Sequence, residues 1–202
     1  MRKIIGAVFV SLDGVMQAPG GPEEDRSGGF ELGGWIWAYS DEVTREAVRG
    51  YLLGAPYALL LGRKTYEIFA SYWPQVSPEN PIAARFNPTA KYVLSSRELS
   101  PPWFNSHRLP SLDALRELKA TEGPDLLVQG SGTLYPQLLS AGLLDRLIVQ
   151  IYPVVLGKGK RLFGEGTPPE GLKLVGCVAS SSGVLIATYA PTGHKPQTSA
   201  VS

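Results

Sequence analysis

The sequence predicts an α/β domain with a mostly parallel sheet covered by helices and an antiparallel hairpin near its C-terminal end. Strand-like and helix-like patterns alternate as far as about residue 150, which is typical of parallel sheets with helical crossovers. Strand patterns alone follow, and the turn 180–183 joins the last two into a hairpin. Because no linker divides the chain, we predict a single domain over residues 1–190 and a disordered tail over residues 191–202.

The elements of the first half are predicted from apolar patterns and from the residues that end them. The first strand, 4–10, is rich in β-branched and aromatic residues, as expected of a strand buried on both faces. After a Gly- and Pro-rich loop over 15–39, Ser40 supplies a capping hydroxyl for the first helix, which ends at 54–56. A loop of this length is typical of a functional lid or of a disordered segment. The next predicted elements are a strand 57–61, a helix from about Thr65 to Ser71 and an irregular stretch 72–89.

The second half continues the alternation and then changes to strands. Ser111 caps a helix with three leucines on its inward face, and another helix begins near Leu134 and ends at Gly142. Pro153 lies inside the long strand pattern 146–156, which predicts a bulge or an edge position there. The remaining predicted strands are 91–94, 125–129, 172–179 and 184–189.

The composition excludes several classes of function. A net charge of +1 argues against a nucleic-acid surface built on general basicity. One cysteine, Cys177, and two histidines are too few for a structural zinc site, so we expect no metal. No stretch approaches the ~18–20 apolar residues that a membrane-spanning helix needs, and the N-terminus lacks the features of a signal peptide. We therefore expect a cytoplasmic protein with a small-molecule ligand and without nucleic-acid or membrane partners.

Three turns with anion-binding character follow three successive predicted strands. A strand that leads into a helix through a glycine presents free backbone N–H groups, and cations or hydroxyls beside it strengthen the attraction for phosphate. The third turn also begins like the dinucleotide fingerprint, with Tyr135 where the third glycine would stand. Each turn alone also has a plain structural explanation, as a strand-to-helix turn at Gly62 and Gly130 and as the solvated start of a loop at Ser95. The turns are Gly62-Arg63-Lys64-Thr65, Ser95-Ser96-Arg97 and Gly130-Ser131-Gly132-Thr133-Leu134.

Together these turns predict an extended ligand with several phosphates, because ligands of open α/β sheets bind along the carboxyl ends of the strands. NADPH fits this description. The turns at Gly62 and Gly130 are the predicted contacts of its pyrophosphate. The turn Ser95–Arg97, with Arg63 or Lys64, is the predicted contact of its 2′-phosphate.

Two further candidates lie near the end of the first strand and at the end of the long loop. Asp13, followed by Gly14, is a candidate for catalysis and for a polar substrate contact, or else it caps the turn. Trp35, with Trp37 and Tyr39, either forms one wall of a pocket for a flat substrate or holds the loop against the core.

The three turns also resemble a known family. Leu61–Glu67, Val93–Arg97 and Gln129–Leu134 are similar, in the same order, to the cofactor motifs of dihydrofolate reductases. Ser11–Gly14 and Ile148–Gly157 are more similar to the riboflavin-biosynthesis reductase, the C-terminal domain of the bifunctional deaminase–reductase. The resemblance covers roughly residues 2–190. It implies a dihydrofolate reductase-like three-layer α/β/α sandwich and hydride transfer from NADPH to a heterocyclic or sugar-like molecule.

The resemblance also has departures. Riboflavin reductases typically have a substrate-binding Glu before the glycine-rich turn, where this chain has Gln129, so the resemblance implies a substrate contact at that position. The acid that dihydrofolate reductases carry on their first long helix, shortly after Pro-Trp, is not reproduced by Asp41 or Glu42.

The resemblance therefore implies a stand-alone paralogue of 5-amino-6-(5-phosphoribosylamino)uracil reductase, and a homodimer, as related reductases often form. Three other hypotheses stay open. The chain is a non-catalytic NADP(H)-binding regulatory protein on the same fold, a folate or pterin reductase, or an interaction protein that docks through residues 15–39.

Overall fold

The computed structural model describes residues 1–196, which contain eight strands and five α-helices. The strands are β1 (Ile4–Ser11), β2 (Tyr57–Gly62), β3 (Lys91–Leu94), β4 (Ser106–Leu109), β5 (Asp125–Gln129), β6 (Arg146–Tyr152), β7 (Leu172–Ala179) and β8 (Leu185–Pro191). The helices are α1 (Glu42–Leu53), α2 (Arg63–Tyr72), α3 (Pro81–Phe86), α4 (Leu112–Ala120) and α5 (Leu134–Ser140). No helix in this part of the chain is long and apolar enough to cross a bilayer.

All eight strands form one sheet in the order β4-β3-β2-β5-β1-β6-β8-β7. Every neighbouring pair from β4 to β6 is parallel, whereas β8 runs antiparallel to both β6 and β7. Side chains of α4 and α5 join the core on one face, and side chains of α1, α2 and α3 join it on the other. The predicted three-layer α/β/α sandwich with a C-terminal antiparallel hairpin is confirmed.

The ring of Tyr135 on α5 packs directly against β1 at Gly6. Tyr135 is fully buried, and a Cβ atom added to Gly6 would lie 2.5 Å from its Cε1 atom and 2.9 Å from Cδ1 of Leu147. The absence of a side chain at Gly6 therefore lets α5 pack close to the centre of the sheet.

Residues 15–39 are held against the end of the sheet by packing and by ion pairing. Tyr152 of β6 belongs to the same hydrophobic cluster as five apolar residues of this stretch. The Nζ atom of Lys160 donates to Asp25 at 2.6 Å, which ties the stretch to the loop after β6. The apolar residues are Val15, Ala18, Phe30, Trp35 and Ile36.

The N-cap of α1 is Asp41, and the prediction of Ser40 was wrong by one residue. The Asp41 carboxylate accepts from the Thr44 N–H at 2.9 Å, and the Thr44 hydroxyl oxygen accepts from the Asp41 N–H at 2.9 Å. This reciprocal pair satisfies two N–H groups that the start of a helix leaves free. The other Asp41 oxygen accepts from the Ser181 hydroxyl and the Ser182 N–H. The bond from Thr44 and those from the two serines lower the pKa of Asp41.

Other element boundaries also differ from the sequence-based ones. Helix α2 begins at Arg63, two residues before the predicted start. Strand β6 ends at Tyr152 because Pro153 has no N–H to continue the ladder. Helix α3 and strand β4 lie in segments for which no element was predicted.

The predicted tail begins inside the hairpin. Pro191 is the last residue of β8, and the Thr192 N–H donates to Gly171 O at 2.8 Å. The remainder of the predicted tail, residues 197–202, lies outside the described residues.

Candidate functional site

A cleft of about 580 Å³ opens at the carboxyl ends of β2, β3 and β4, beside the start of α5. Parallel strands bring these ends to one edge of the sheet, where the three predicted turns meet. Seven of the residues that the sequence predicts for cofactor binding line the cleft: Gly62, Arg63, Lys64, Ser95, Ser96, Thr133 and Leu134. Pro110, Ser111 and Leu112 also line it but were not predicted, because β4 was not recognised and the start of α4 was not assigned to this edge.

Ser131 joins two of the turns directly. Its hydroxyl oxygen accepts from the Gly62 N–H at 2.8 Å and its O–H donates to Gln129 O at 3.0 Å. Its own N–H donates to the Thr65 hydroxyl oxygen at 2.9 Å. These contacts place Thr65 and Ser131 behind the cleft, where they fix the distance between the turns.

The glycines of the third turn are required by space and by backbone conformation. Gly130 has a φ of +55°, and a Cβ atom there would lie 3.1 Å from the Thr65 side chain. A Cβ atom on Gly132 would lie 2.9 Å from the sulfur of Met16. The turn is therefore packed between α2 and the loop after β1.

The cations at the cleft differ in what they already bind. Arg63 donates from Nε to Glu67 at 2.7 Å and from Nη1 to Glu98 O at 3.2 Å, so part of its charge is neutralised. Lys64 lines the cleft, and Arg97 follows the cleft residue Ser96 without lining the cleft itself. Both are exposed, and the side chain of neither makes a hydrogen bond or an ion pair within residues 1–196. These two cations are available to an anionic ligand.

Asp13 lies between β1 and the loop after β6, and its hydrogen bonds are already made. Its carboxylate accepts from the Ser11 hydroxyl at 2.6 Å, the Leu156 N–H at 3.1 Å and the Gly157 N–H at 2.9 Å. The bonds from Ser11 and from these two amides lower the pKa of Asp13 to about 2. The carboxylate is therefore ionised at neutral pH, and its geometry favours the alternative of a turn cap; its catalytic and substrate-contact roles stay predictions.

Asp13→Asn is expected to lower the free energy of unfolding by about 1–3 kcal/mol at pH 7, because hydrogen bonds to a charged acceptor are replaced by weaker ones. Folding lowers the pKa of Asp13 from 3.8 to about 2. The ionised carboxylate therefore stabilises the folded state above pH 4, and this stabilisation is lost as the pH falls through 2. Urea unfolding at pH 7 and pH 3 should therefore show a smaller difference from wild type at pH 3. Glu31→Gln, at an exposed position, serves as the control; an equal difference at both pH values would contradict the assignment.

Trp35 and Gln129, the other predicted substrate contacts, are both buried. Trp35 donates from Nε1 to Gln17 O at 2.9 Å and packs edge-on against Tyr152 with the ring centroids 5.3 Å apart. Gln129 donates from Nε2 to Ala7 O at a long 3.4 Å. Trp35 thus holds the 15–39 stretch on the core, and the substrate roles of both residues stay predictions.

Comparison with known proteins supports the same fold. The RibD C-terminal domain family matches residues 2–186. The uncharacterized protein YyaP of Bacillus subtilis (strain 168) is 29% identical over 137 residues, which are 65% of this chain and 72% of YyaP.

Solved structures with a similar backbone include the following two. A protein from Shewanella sp. PV-4 ascribed to riboflavin biosynthesis has a TM-score of 0.70 at 19% identity, over 94% of this chain and 99% of that one. Dihydrofolate reductase from Enterococcus faecalis, complexed with NADP(H), has a TM-score of 0.58 at 15% identity, over 94% of this chain and 96% of that one. These likenesses confirm the dihydrofolate reductase-like fold that the three motifs predicted.

Proposed function

The chain belongs to the RibD C-terminal domain family, and from that premise we propose that it is an NADPH-dependent reductase of a small heterocyclic or sugar-like molecule. The proposed reaction resembles that of the 5-amino-6-(5-phosphoribosylamino)uracil reductase of riboflavin biosynthesis, of which the chain would be a stand-alone paralogue. The observation that carries the proposal is the cleft where the start of α2, the unpaired Lys64 and the hydroxyls of Ser96 and Ser111 meet.

The residues of the cleft fit NADPH. A volume of about 580 Å³ lies within the usual range for small-molecule sites. Lys64 and Arg97 offer full positive charges, and the first N–H groups of α2 add the partial charge of a helix start. The dihydrofolate reductase of similar fold was itself complexed with NADP(H).

Each part of the site has a role under this proposal. NADPH, when bound, supplies a hydride. Lys64 and Arg97 bind the 2′-phosphate, Gly130 and Gly132 let the backbone approach the pyrophosphate, and Ser131 keeps the two turns at a fixed separation. The ionised Asp13 carboxylate carries no proton to donate at neutral pH, so water or a nearby acid would supply the proton that completes the reduction.

A non-catalytic NADP(H)-binding protein is the second candidate. It is favoured by two observations. Gln129, an amide, occupies the strand end where related reductases have an acid, and the Asp13 carboxylate is held by the amides of Leu156 and Gly157. A folate reductase has less support, because Glu42 and Glu46 on α1 are exposed and pair with the arginines of the same helix.

Isothermal titration with NADPH and NADH tests the proposal. We expect tighter binding of NADPH, followed by loss of absorbance at 340 nm when a reducible pyrimidine or pterin is added. Binding without oxidation for any of these acceptors would support the non-catalytic candidate. Absence of NADPH binding would contradict both.

We also propose that the protein is a homodimer joined through β7. This edge strand has one neighbour, β8, and its apolar side chains Leu174, Val175 and Val178 are 52%, 52% and 55% exposed. An exposed apolar edge strand is a ready site for pairing with another chain.

Val178→Lys is expected to convert the dimer to a monomer, because a charged side chain would be buried in the shared sheet. Light scattering after gel filtration gives the mass directly, and Lys173→Ala on the same strand serves as the control. A wild-type protein that stays monomeric at all concentrations would contradict the proposal.

A further inference from the structure

Arg63, at the start of α2, is bonded both to its own helix and to the loop that follows β3. Its Nη1 atom donates to Glu98 O at 3.2 Å and, at a long 3.5 Å, to the hydroxyl oxygen of Ser95. Its Nε atom donates to the Glu67 carboxylate at 2.7 Å, and residues four apart on a helix lie side by side. The guanidinium is therefore held between α2 and residues 95–98.

The Ser95 hydroxyl connects Arg63 to the main chain of Arg97. It donates to Arg97 O at 2.8 Å and accepts from the Arg97 N–H at 3.1 Å. Ser95 is itself fixed, because it is buried and its N–H donates to Leu109 O of β4 at 3.0 Å. The main chain of Arg97 is therefore held at its N–H and at its C=O, while its side chain is left for a ligand.

The other attachments of this loop are weaker or lie further along it. The Nε atom of Arg108 donates to Glu98 Oε1 at 3.2 Å, but the Glu98 side chain is 88% exposed, and exposed ion pairs contribute little. The Tyr66 hydroxyl donates to Pro101 O at 2.9 Å, beyond residues 95–98. Within residues 1–196, both hydrogen bonds between α2 and residues 95–98 come from Arg63. Its loss should therefore loosen these four residues while the fold persists.

The pair of Arg63 and Glu67 presents little net charge to the cleft. Both residues line it, and their side chains are 33% and 32% exposed. A phosphate that approached Arg63 would also approach the Glu67 carboxylate, and like charges repel. The neighbouring Lys64 has no such partner within residues 1–196 and attracts the phosphate more strongly. The contacts thus separate Lys64, a cation that can bind an anion, from Arg63, a cation that holds a loop.

We propose that Arg63 is a positioning residue, which sets the preference for NADPH by holding Arg97 in place through Ser95 and Glu98 and does not itself bind the 2′-phosphate. The planar fork of its guanidinium is needed for this role, because it donates to α2 and to the loop at the same time. The inference rests on the proposed NADPH-dependent function, and it assigns the 2′-phosphate to Lys64 rather than to Arg63.

The test is a double-mutant cycle followed by titration calorimetry with NADPH and NADH. Arg63→Ala should weaken NADPH binding by about tenfold, and in an Arg97→Ala background by less than about threefold, because the residue that it positions is then absent. The affinity for NADH, which lacks the 2′-phosphate, should stay within about threefold. Additive losses of NADPH affinity, or equal weakening of NADPH and NADH by Arg63→Ala, would show that Arg63 binds the cofactor directly and would overturn the inference.

Arg63→Lys separates positioning from charge, because lysine keeps the positive charge but has no planar fork. It should weaken NADPH binding as much as Arg63→Ala does, to within about twofold; wild-type affinity in Arg63→Lys would overturn the inference. Arg45→Ala serves as the matched control, since Arg45 pairs with Glu42 on α1 at 3.0 Å and does not line the cleft. It should leave the affinities for both cofactors unchanged.

Hydrogen exchange of the cofactor-free protein gives a readout that does not depend on binding. The amides of residues 95–98 should exchange faster in Arg63→Ala than in the wild type, because local opening becomes easier when the bonds to α2 are lost. Arg45→Ala should leave their exchange unchanged. Unchanged exchange in Arg63→Ala would overturn the inference while the proposed function stands. Failure of the wild type to bind NADPH would instead overturn the proposed function, and this inference with it.

Discussion

Gly6→Val is expected to lower the free energy of unfolding by about 3 kcal/mol or more. Overpacking of a filled core typically costs ~1–3 kcal/mol, and more where nothing can move. The new Cβ atom alone would lie 2.5 Å from Cε1 of Tyr135. The Tyr135 ring is fully buried, so it cannot move away without displacing other core side chains. Urea unfolding at pH 7 measures the loss.

Two comparisons separate this steric effect from a general intolerance of glycine substitutions. Gly50 lies within α1, and a Cβ atom there would meet nothing within 4 Å, so Gly50→Ala should stabilise the protein by about 0.5–1 kcal/mol. In a Tyr135→Ala background, Gly6→Val should lower the free energy of unfolding by less than it does in the wild type, because the aromatic ring that the new side chain would contact is absent. Additive losses in the double variant would show that the ring is not the cause.

Removing the free cation Lys64 of the cleft and the neighbouring Arg97, with Lys64→Ala and Arg97→Ala together, should weaken NADPH binding by about 100-fold or more. Charge-assisted hydrogen bonds contribute about 1.5–3 kcal/mol each, and about 1.4 kcal/mol corresponds to a tenfold change in Kd. NADH lacks the 2′-phosphate, so its affinity should change less than threefold. The double variant should therefore lose the preference for NADPH.

Titration calorimetry at low and moderate salt is the appropriate measurement, because the contribution of exposed charges is screened as ionic strength rises. The pair Lys173→Ala and Arg146→Ala removes two exposed cations at other places on the sheet and serves as the matched control. Equal weakening of NADPH and NADH by the Lys64 and Arg97 variants would contradict the assignment of these residues to the 2′-phosphate.

The elements that could be predicted are those whose signals come from residues close together in the sequence. Buried parallel strands are continuous apolar runs, as in 57–61 and 125–129, and Ser111 caps α4 through a bond to the Ala114 N–H. The three turns were recognisable because each apolar strand pattern is followed directly by polar residues, with a glycine as well in the first and third turns. Their convergence followed from the parallel topology alone.

The elements that were missed depend on weaker or more distant signals. Strand β4 has one neighbour, β3, and its sequence Ser-His-Arg-Leu carries little apolar pattern because most of it is exposed. Helix α3 has six residues, although Asn80 as its cap and Pro81 at its first position are a local start signal that could have found it.

The partners of Asp13 could not be predicted from local patterns either. Its carboxylate accepts from the amides of Leu156 and Gly157, which lie more than 140 residues later in the sequence.

The position of β1 at the centre of the sheet constrains how the chain is made. Ile5 is paired with Leu127 on one side and with Arg146 on the other, so β1 leaves the ribosome well before either of its two partner strands. At translation rates of ~5–20 residues per second, that delay is roughly 7 to 30 seconds. During this delay β1, an apolar strand, has no partner on either edge. We therefore expect newly synthesised chains, rather than the mature protein, to aggregate when expression is high.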